Sequence, residues 1–472
     1  MDLESFRRHA HELVDWMADY FEKVEDMPVL PRVTPGEIIA GLPSDPPEEG
    51  EPFDLIMEDF KSVILPGMTH WQSPKYFAYF NANNSFPSIL AEMLTATLGA
   101  QCMSWITSPA ATELEERVME WLRNMIGLPG DFTGVIQDSA SSATLCSLLT
   151  AREKASGRAI NHHGFSGERF TVYCSREAHS SVEKDVRIAG FGSHRLRRIA
   201  VDENYAMDPL ALDAAVRRDL EEGYHPLAVV AALGTTGSTA IDPLDTVAAV
   251  CRRYGLWLHV DAAYAGTSLL LPAMRWMLKG IEAVDSFVFN PHKWMFTNFD
   301  CSAYFVRDAD ALVHTFTLLP EYLKTRVDGS VKNYRDWGIQ LGRRFRALKL
   351  WFVIREFGVQ GLRDTVARHI RWAGEVADLV LQTPDFELMA PVPLATVCFR
   401  YHPEGVDDPG ELDKLNQDLM GQLNASGKLF LTHTRLKGKL TLRLVVGQTR
   451  QERRHVMTAW EAVTGTARRL YP

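Results

Sequence analysis

Ser286-Phe-Val-Phe-Asn-Pro-His-Lys-Trp294 is the stretch on which the reading of this chain turns. Ser286 to Phe289 has the short apolar character of a buried strand end, and Pro291 cannot continue a ladder because it lacks an N–H. Just beyond, Lys293 lies between an imidazole and an indole. Such neighbours strip water from an ammonium, lower its pKa and leave an amine that attacks carbonyls. Taken alone, Lys293 is one of 50 lysines and arginines and reads more readily as an ordinary surface residue. Its surroundings in the chain make the difference.

Working outward, short apolar runs alternate with helical stretches: Phe170-Val172-Cys174, Leu196-Ile199-Val201, Leu227-Val230-Leu233, Leu256-Leu258-Val260, Phe287-Phe289 and Ala303-Val306. This alternation predicts an α/β domain whose mostly parallel sheet is buried on both faces. Ligands of such sheets sit outside the carboxyl ends of the strands. Polar residues follow the runs there: His179, then Thr235-Thr236, then Asp261, then His292-Lys293. Upstream, Gly134-Val-Ile-Gln-Asp-Ser-Ala-Ser-Ser-Ala-Thr144 passes from apolar to small hydroxyl residues and then into a helix. That order puts free N–H groups of Ser139, Ala140 and Ser141 at a helix start, where an anion is stabilised, although serines also serve there as simple caps. Asp261 ends a strand as apolar as Leu256-Trp-Leu-His-Val260, a costly place for a carboxylate unless a cation meets it. One ligand suits the lysine, carboxylate, histidine and anion cradle together. It is a flat, cationic, phosphorylated aldehyde, pyridoxal 5'-phosphate.

The remainder of the chain frames this core. An amphipathic helix is expected from Phe6 to Glu22, followed by a proline-rich arm from Pro28 to Pro47 that suits packing on a second subunit. Trp71, Tyr76, Phe77, Tyr79 and Phe80 form an aromatic cluster, either core or the wall of a flat-ligand site. A helix is predicted over 110–127, with Thr112 and Glu115 as a capping box. Phe316 to Trp337 is polar and glycine-containing and reads as a mobile lid loop. A helix resumes at Arg346, and a smaller α+β unit carries strands near Ala395–Arg400 and Leu440–Val446. The expected division is an N-terminal helical arm at 1–82, a large domain at 83–350 and a small C-terminal domain at 351–472.

Composition excludes several classes. Sixty acidic against 50 basic residues give a net charge of -10, so no excess of positive charge exists to meet nucleic acid or anionic membrane. The six cysteines have no paired spacing, which gives no zinc signature and no metal assignment, and suits a reducing compartment; the cytoplasm is the expectation. No apolar run reaches bilayer length. No Gly-x-Gly-x-x-Gly follows a strand, and no P-loop is present.

Asn290-Pro-His-Lys-Trp294, His259-Val-Asp-Ala-Ala-Tyr-Ala-Gly266, Ala178-His-Ser-Ser181, Leu233-Gly-Thr-Thr236, Gln137-Asp-Ser-Ala-Ser141 and Leu341-Gly-Arg-Arg-Phe-Arg346 occur in this order across nearly the whole chain. In these motifs the sequence resembles the group II pyridoxal-phosphate decarboxylases, most closely the aromatic L-amino-acid decarboxylases. The resemblance implies the type I (aspartate aminotransferase-like) fold, with a seven-stranded mostly parallel sheet, and a homodimer with active sites at the subunit interface. It also implies roles. Lys293 matches the lysine that forms a Schiff base with the cofactor, Asp261 the partner of the pyridine nitrogen, and His179 the imidazole stacked on the ring. Ala263 matches the opposite ring face, and Ser139, Ala140, Ser141, Asn290 and His292 match phosphate contacts. Thr236 lies beside cofactor and substrate, and Tyr322 matches the tyrosine that protonates the substrate α-carbon after CO2 leaves. The implied reaction runs through a quinonoid to an arylalkylamine. The implied substrate pocket holds Trp71, Tyr79, Phe80, Ala82, Gln101, Met103 and Gly342, the glycine leaving room for large rings such as indoles. Asn81-Ala82, Gln101 and Met103 depart from the animal enzymes, which puts catechol recognition in doubt. Phenylalanine, tyrosine, DOPA, tryptophan and 5-hydroxytryptophan stay open as substrates. Aldehyde synthesis, acidic amino-acid decarboxylation and a catalytically silent dimeric binding protein are the competing readings.

Overall fold

The runs rich in β-branched and aromatic side chains become strands, as their fit to a buried pleated surface dictates. The computed structural model describes residues 1–318 and 330–471. Seven strands form the large sheet: β1 (Thr133–Gln137), β2 (Phe170–Ser175), β3 (Leu196–Ile199), β4 (His225–Ala232), β5 (Trp257–Asp261), β6 (Ser286–Phe289) and β7 (Ser302–Val306). Their spatial order is β1-β7-β6-β5-β4-β2-β3. Neighbours from β3 through β6 pair in parallel, while β7 is antiparallel to both β6 and β1. The sheet is therefore mostly parallel, as the alternating runs predict. Two antiparallel pairings in succession leave β1 pointing the same way as β6. The carboxyl ends of β1, β2, β4, β5 and β6 accordingly share one edge.

Helices precede and connect these strands. The helix α1 (Leu3–Lys23) opens the chain, followed by α2 (Phe86–Leu98), α3 (Pro109–Ile126), α4 (Ala140–Ala155) and α5 (Ser181–Ile188). α4 crosses one face of β4 to β7. The stretch Arg346–Gln382 is helical on both sides of Gly358, whose φ of 62° and ψ of 165° break it. A second sheet, ordered β10-β11-β9-β8, comprises β8 (Phe386–Leu388), β9 (Thr396–Tyr401), β10 (Thr432–Leu436) and β11 (Lys439–Val445), with α6 (Pro409–Ala425) and α7 (Arg453–Leu470) beside it.

The chain divides into two compact units: Met1–Asn81 with Leu379–Glu387 and the chain from Phe399 on, and Ala82–Asp378 with Leu388–Cys398. No helix among the described residues is long and apolar enough to cross a membrane. Two local expectations are corrected. Helix α3 starts at Pro109 with Ser108 as its N-cap, and Thr112 bonds back to the Ser108 carbonyl at 3.2 Å, so Thr112 and Glu115 form no capping box. Glu115 is buried and serves a distant arginine instead. The end of the expected lid is also packed: Tyr334 and Trp337 belong to the core cluster.

Candidate active site

Five segments bring their polar residues to the shared sheet edge. After β1, Ser139 caps α4 by accepting the Ser142 N–H at 3.1 Å. This leaves the first N–H groups of a 16-residue helix unpaired within it, the positive end of its dipole. After β2, His179 Nδ1 accepts from the Ser181 N–H at 3.2 Å and lies 2.8 Å from its hydroxyl. His179 is exposed, yet surrounding protein lowers its pKa chiefly by stripping water from the ring, with the Asp261 carboxylate opposing and the Lys293 ammonium reinforcing the shift. Both charged groups thus lie close enough to act on its ring.

After β4, Gly234 turns the chain at φ +82°, where a Cβ would come within 2.8 Å of the Ala265 Cβ. The turn leaves Thr235 buried against Ser238 and Thr236 exposed. Asp261 ends β5, and its Oδ1 accepts from the Ala263 N–H at 3.0 Å. The Ala263 carbonyl accepts from the Asn290 N–H at 2.9 Å, joining the ends of β5 and β6.

Beyond β6, the chain takes one helical turn over Pro291–Trp294. Lys293 is partly buried, and its carbonyl accepts from Asn83 Nδ2 at 2.6 Å. Trp294 stacks on Tyr264 at 4.5 Å with 7° between planes and donates from Nε1 to His369 at 3.0 Å. The indole beside the lysine is therefore locked. His292 Nδ1 accepts from the Cys301 N–H at 2.9 Å, and its pKa is pushed down to about 3, by burial first and then by Lys293. A neutral ring with Nδ1 accepting carries its proton on Nε2.

The loop from Asn333 is laced to this edge. Gln340 donates to Asp138 at 2.6 Å, Arg335 N to the Met103 carbonyl at 2.8 Å, and Arg343 N to Gln101 Oε1 at 2.8 Å. A Cβ on Gly342 would lie 3.2 Å from Gln101 Nε2. Gln101, Met103 and Gly342 are thereby brought together, and Ala82 precedes the Asn83 that holds Lys293. Trp71, Tyr79 and Phe80 belong to the other compact unit, where Trp71 stacks on Tyr76 at 4.5 Å and on Tyr79 at 6.0 Å, and Arg443 lies over Phe80. Tyr322 lies outside the described residues.

The donor set fits a phosphorylated pyridine aldehyde. Helix N–H groups and the His292 Nε2–H are neutral donors for a phosphate, Asp261 is a carboxylate for a ring cation, and Lys293 is an amine. Asn290, 3% exposed, keeps its Oδ1 buried without a partner among the described residues. Turning that amide over presents Nδ2 in the same place. The comparisons agree. The profile of the pyridoxal-dependent decarboxylase conserved domain matches residues 35–402.

This chain belongs to the group II pyridoxal-phosphate-dependent decarboxylases. It is 42% identical to tryptophan decarboxylase 2 of Oryza sativa subsp. japonica, covering 100% of this chain and 96% of that protein. It is 43% identical to phenylacetaldehyde synthase of Arabidopsis thaliana over 98% of this chain and 96% of that one, and 42% identical to the aromatic-L-amino-acid decarboxylase of Sus scrofa over 100% and 98%. The crystal structure of Oryza sativa TDC with PLP and tryptamine superposes with a TM-score of 0.97 at 37% identity, covering 100% and 99% of the two chains. Pyridoxal phosphate is the cofactor of this decarboxylase, and its relatives act on aromatic amino acids.

Two groups near Asp261 carry no role in the sequence reading. Asp185 on α5 is 2% exposed, its Oδ2 has no partner among the described residues, and its pKa is pushed up to about 7 by burial and then by the Asp261 charge. His259, two residues before Asp261, is fully buried. Neither stands out locally, because an acid on an amphipathic helix and a histidine in a strand are ordinary until their partners are known.

Proposed function

We propose that this enzyme decarboxylates a free aromatic L-amino acid of the tryptophan, 5-hydroxytryptophan, phenylalanine, tyrosine or DOPA class, releasing CO2 and the arylalkylamine, as a cytoplasmic homodimer. The observation that carries the reading is the gathering of Lys293, Asp261, His179 and the Ser139–Ser141 helix start on one sheet edge of a member of this family. Pyridoxal phosphate, when bound, supplies a cationic ring that accepts the electron pair freed as CO2 leaves. The chain does the rest. Ser139, Ala140, Ser141, Asn290 and His292 hold the phosphate, Asp261 holds the positive charge at the ring nitrogen, and Lys293 supplies the amine that carries the aldehyde. Ala263 and His179 would pack against the cofactor ring, with Thr236 alongside. Loss of solvent at the His179 ring, reinforced by the Lys293 charge, favours its neutral form. Tyr322 returns a proton to the substrate α-carbon.

Gly342 supports acceptance of large rings, since among the described residues only the Gln101 amide comes within 4 Å of where a Cβ would stand. Oxidative release of an aldehyde, with O2 taking up the electron pair and water supplying the carbonyl oxygen as ammonia leaves, is the second reading, favoured by the similarity to phenylacetaldehyde synthase. Incubating the holoenzyme with the five amino acids and measuring CO2, amine, aldehyde and ammonia separates the two. Equimolar CO2 and amine is the expected result; aldehyde and ammonia as main products would replace it with the second reading. Tyr322→Phe is expected to shift product from amine to aldehyde, and a variant still forming only amine at the parent rate would refute the role of Tyr322.

A further inference from the structure

A chain of buried polar side chains runs beneath the site and takes no part in the chemistry above. His259 and Asp261 are two residues apart on β5 and therefore face the same side of the sheet. The His259 ring lies between two hydroxyls: Nδ1 is 2.8 Å from Ser286 Oγ on β6, and Nε2 is 3.0 Å from Thr144 Oγ1 on α4. Ser286 Oγ is in turn 2.8 Å from Ser147 Oγ, which accepts from Trp257 Nε1 at 2.8 Å. Thr144, His259, Ser286 and Ser147 are all fully buried. Val135, Leu148 and Val288 belong to the buried cluster of the same layer, an apolar core that could have been completed at no desolvation cost.

What such a network adds over apolar packing is direction and distance, because hydrogen bonds fail within a few tenths of an ångström and oil-like contacts do not. The two elements it clamps are informative. Thr144 lies four residues after Ala140, on the same helix face and one turn below the phosphate cradle. His259 lies one same-face step below Asp261. We infer that His259 is a positioning residue that fixes the separation between the start of α4 and the Asp261 carboxylate, and so keeps the phosphate end and the ring-nitrogen end of the cofactor in register. The inference rests on the proposed roles of Ser139–Ser141 and Asp261. It is consistent with a ring kept neutral by burial, which pushes its pKa down to about 4, since a neutral imidazole offers one donor and one acceptor to its two hydroxyl partners.

The test compares pyridoxal phosphate with phosphate-free pyridoxal. Both ligands use the Asp261 end, and only the first uses the cradle. Their affinity ratio on the full-length apoenzyme therefore measures the register between the ends. His259→Leu and the milder Thr144→Val are expected to lower that ratio at least fivefold, and His259→Gln, whose amide supplies a donor and an acceptor in place of the imidazole's, to recover most of it. A smaller fall in both His259→Leu and Thr144→Val, whatever happens to their Tm, would show a purely structural histidine and overturn the inference. Asp261→Asn is the control: it should weaken both ligands by similar factors. If it weakens neither, the assignment of Asp261 fails instead.

Discussion

Asn290 and His292 differ from their flanking residues in what their neighbours leave over. The Cys301 N–H occupies one nitrogen of His292, so the other must donate, and the Asn290 amide oxygen is buried with nothing to accept from among the described residues. Buried polar atoms in a folded chain are nearly all paired, so an orphan at a strand end beside Lys293 suits the proposed phosphate contact. A charge-assisted hydrogen bond contributes about 1.5–3 kcal/mol, roughly tenfold or more in affinity. Asn290→Asp, which replaces the amide donor by an anion, is therefore expected to weaken pyridoxal-phosphate binding at least tenfold by equilibrium titration of the apoenzyme. Unchanged affinity would mean that Asn290 does not face the phosphate. The residue types at the site were legible in the sequence, because Asn-Pro-His-Lys directly after Ser-Phe-Val-Phe breaks an apolar run with chemistry that a core has no use for. The tautomer of His292 was not, since it depends on a backbone nitrogen nine residues on.

At the scale of elements, the strands and long helices followed from periodicity, and the misreading at Thr112-x-x-Glu115 shows where periodicity ends. The pattern of a capping box is local, but the Glu115 carboxylate is claimed by Arg343, 228 residues away, at 2.6 and 3.1 Å. Arg343 also donates to the Ile136 carbonyl at 2.8 Å, and Glu115 accepts from the Ile136 N–H at 2.9 Å. The pair thus bolts the loop carrying Gly342 to β1, next to the start of α4. Both side chains are buried, so removing one leaves an uncompensated charge that costs about 3–5 kcal/mol. Arg343→Met is expected to lower Tm by several degrees, and the double change Arg343→Met with Glu115→Met to regain most of the loss. A double variant no more stable than Arg343→Met would show that the ion pair is not what the loop depends on.

For the whole molecule, the alternation of strands and helices announced the α/β sheet, whereas the joining of Met1–Asn81 with the chain from Phe399 on has no local signature, because it depends on contacts made across hundreds of residues. Surface composition carries a further message. On α2, Phe86, Leu90, Leu94 and Leu98 recur every four residues and are 59%, 54%, 47% and 65% exposed, with Met93 beside them. One such side chain on a surface is unremarkable; a continuous helical stripe is the mark of a face that another surface covers. Helix α1 likewise exposes Leu3, Phe6 and Val14. A second copy of the chain is the occupant that the proposed homodimer requires. The parent protein is therefore expected to sediment at twice 53.1 kDa. Replacing Leu90 and Leu94 together by Asp places two charges where each apolar side chain would have been buried, and should shift the protein to the monomer mass with loss of amine production. A parent that sediments at the monomer mass, or a double variant that stays dimeric and fully active, would remove α2 from the interface and leave its apolar stripe to some other partner.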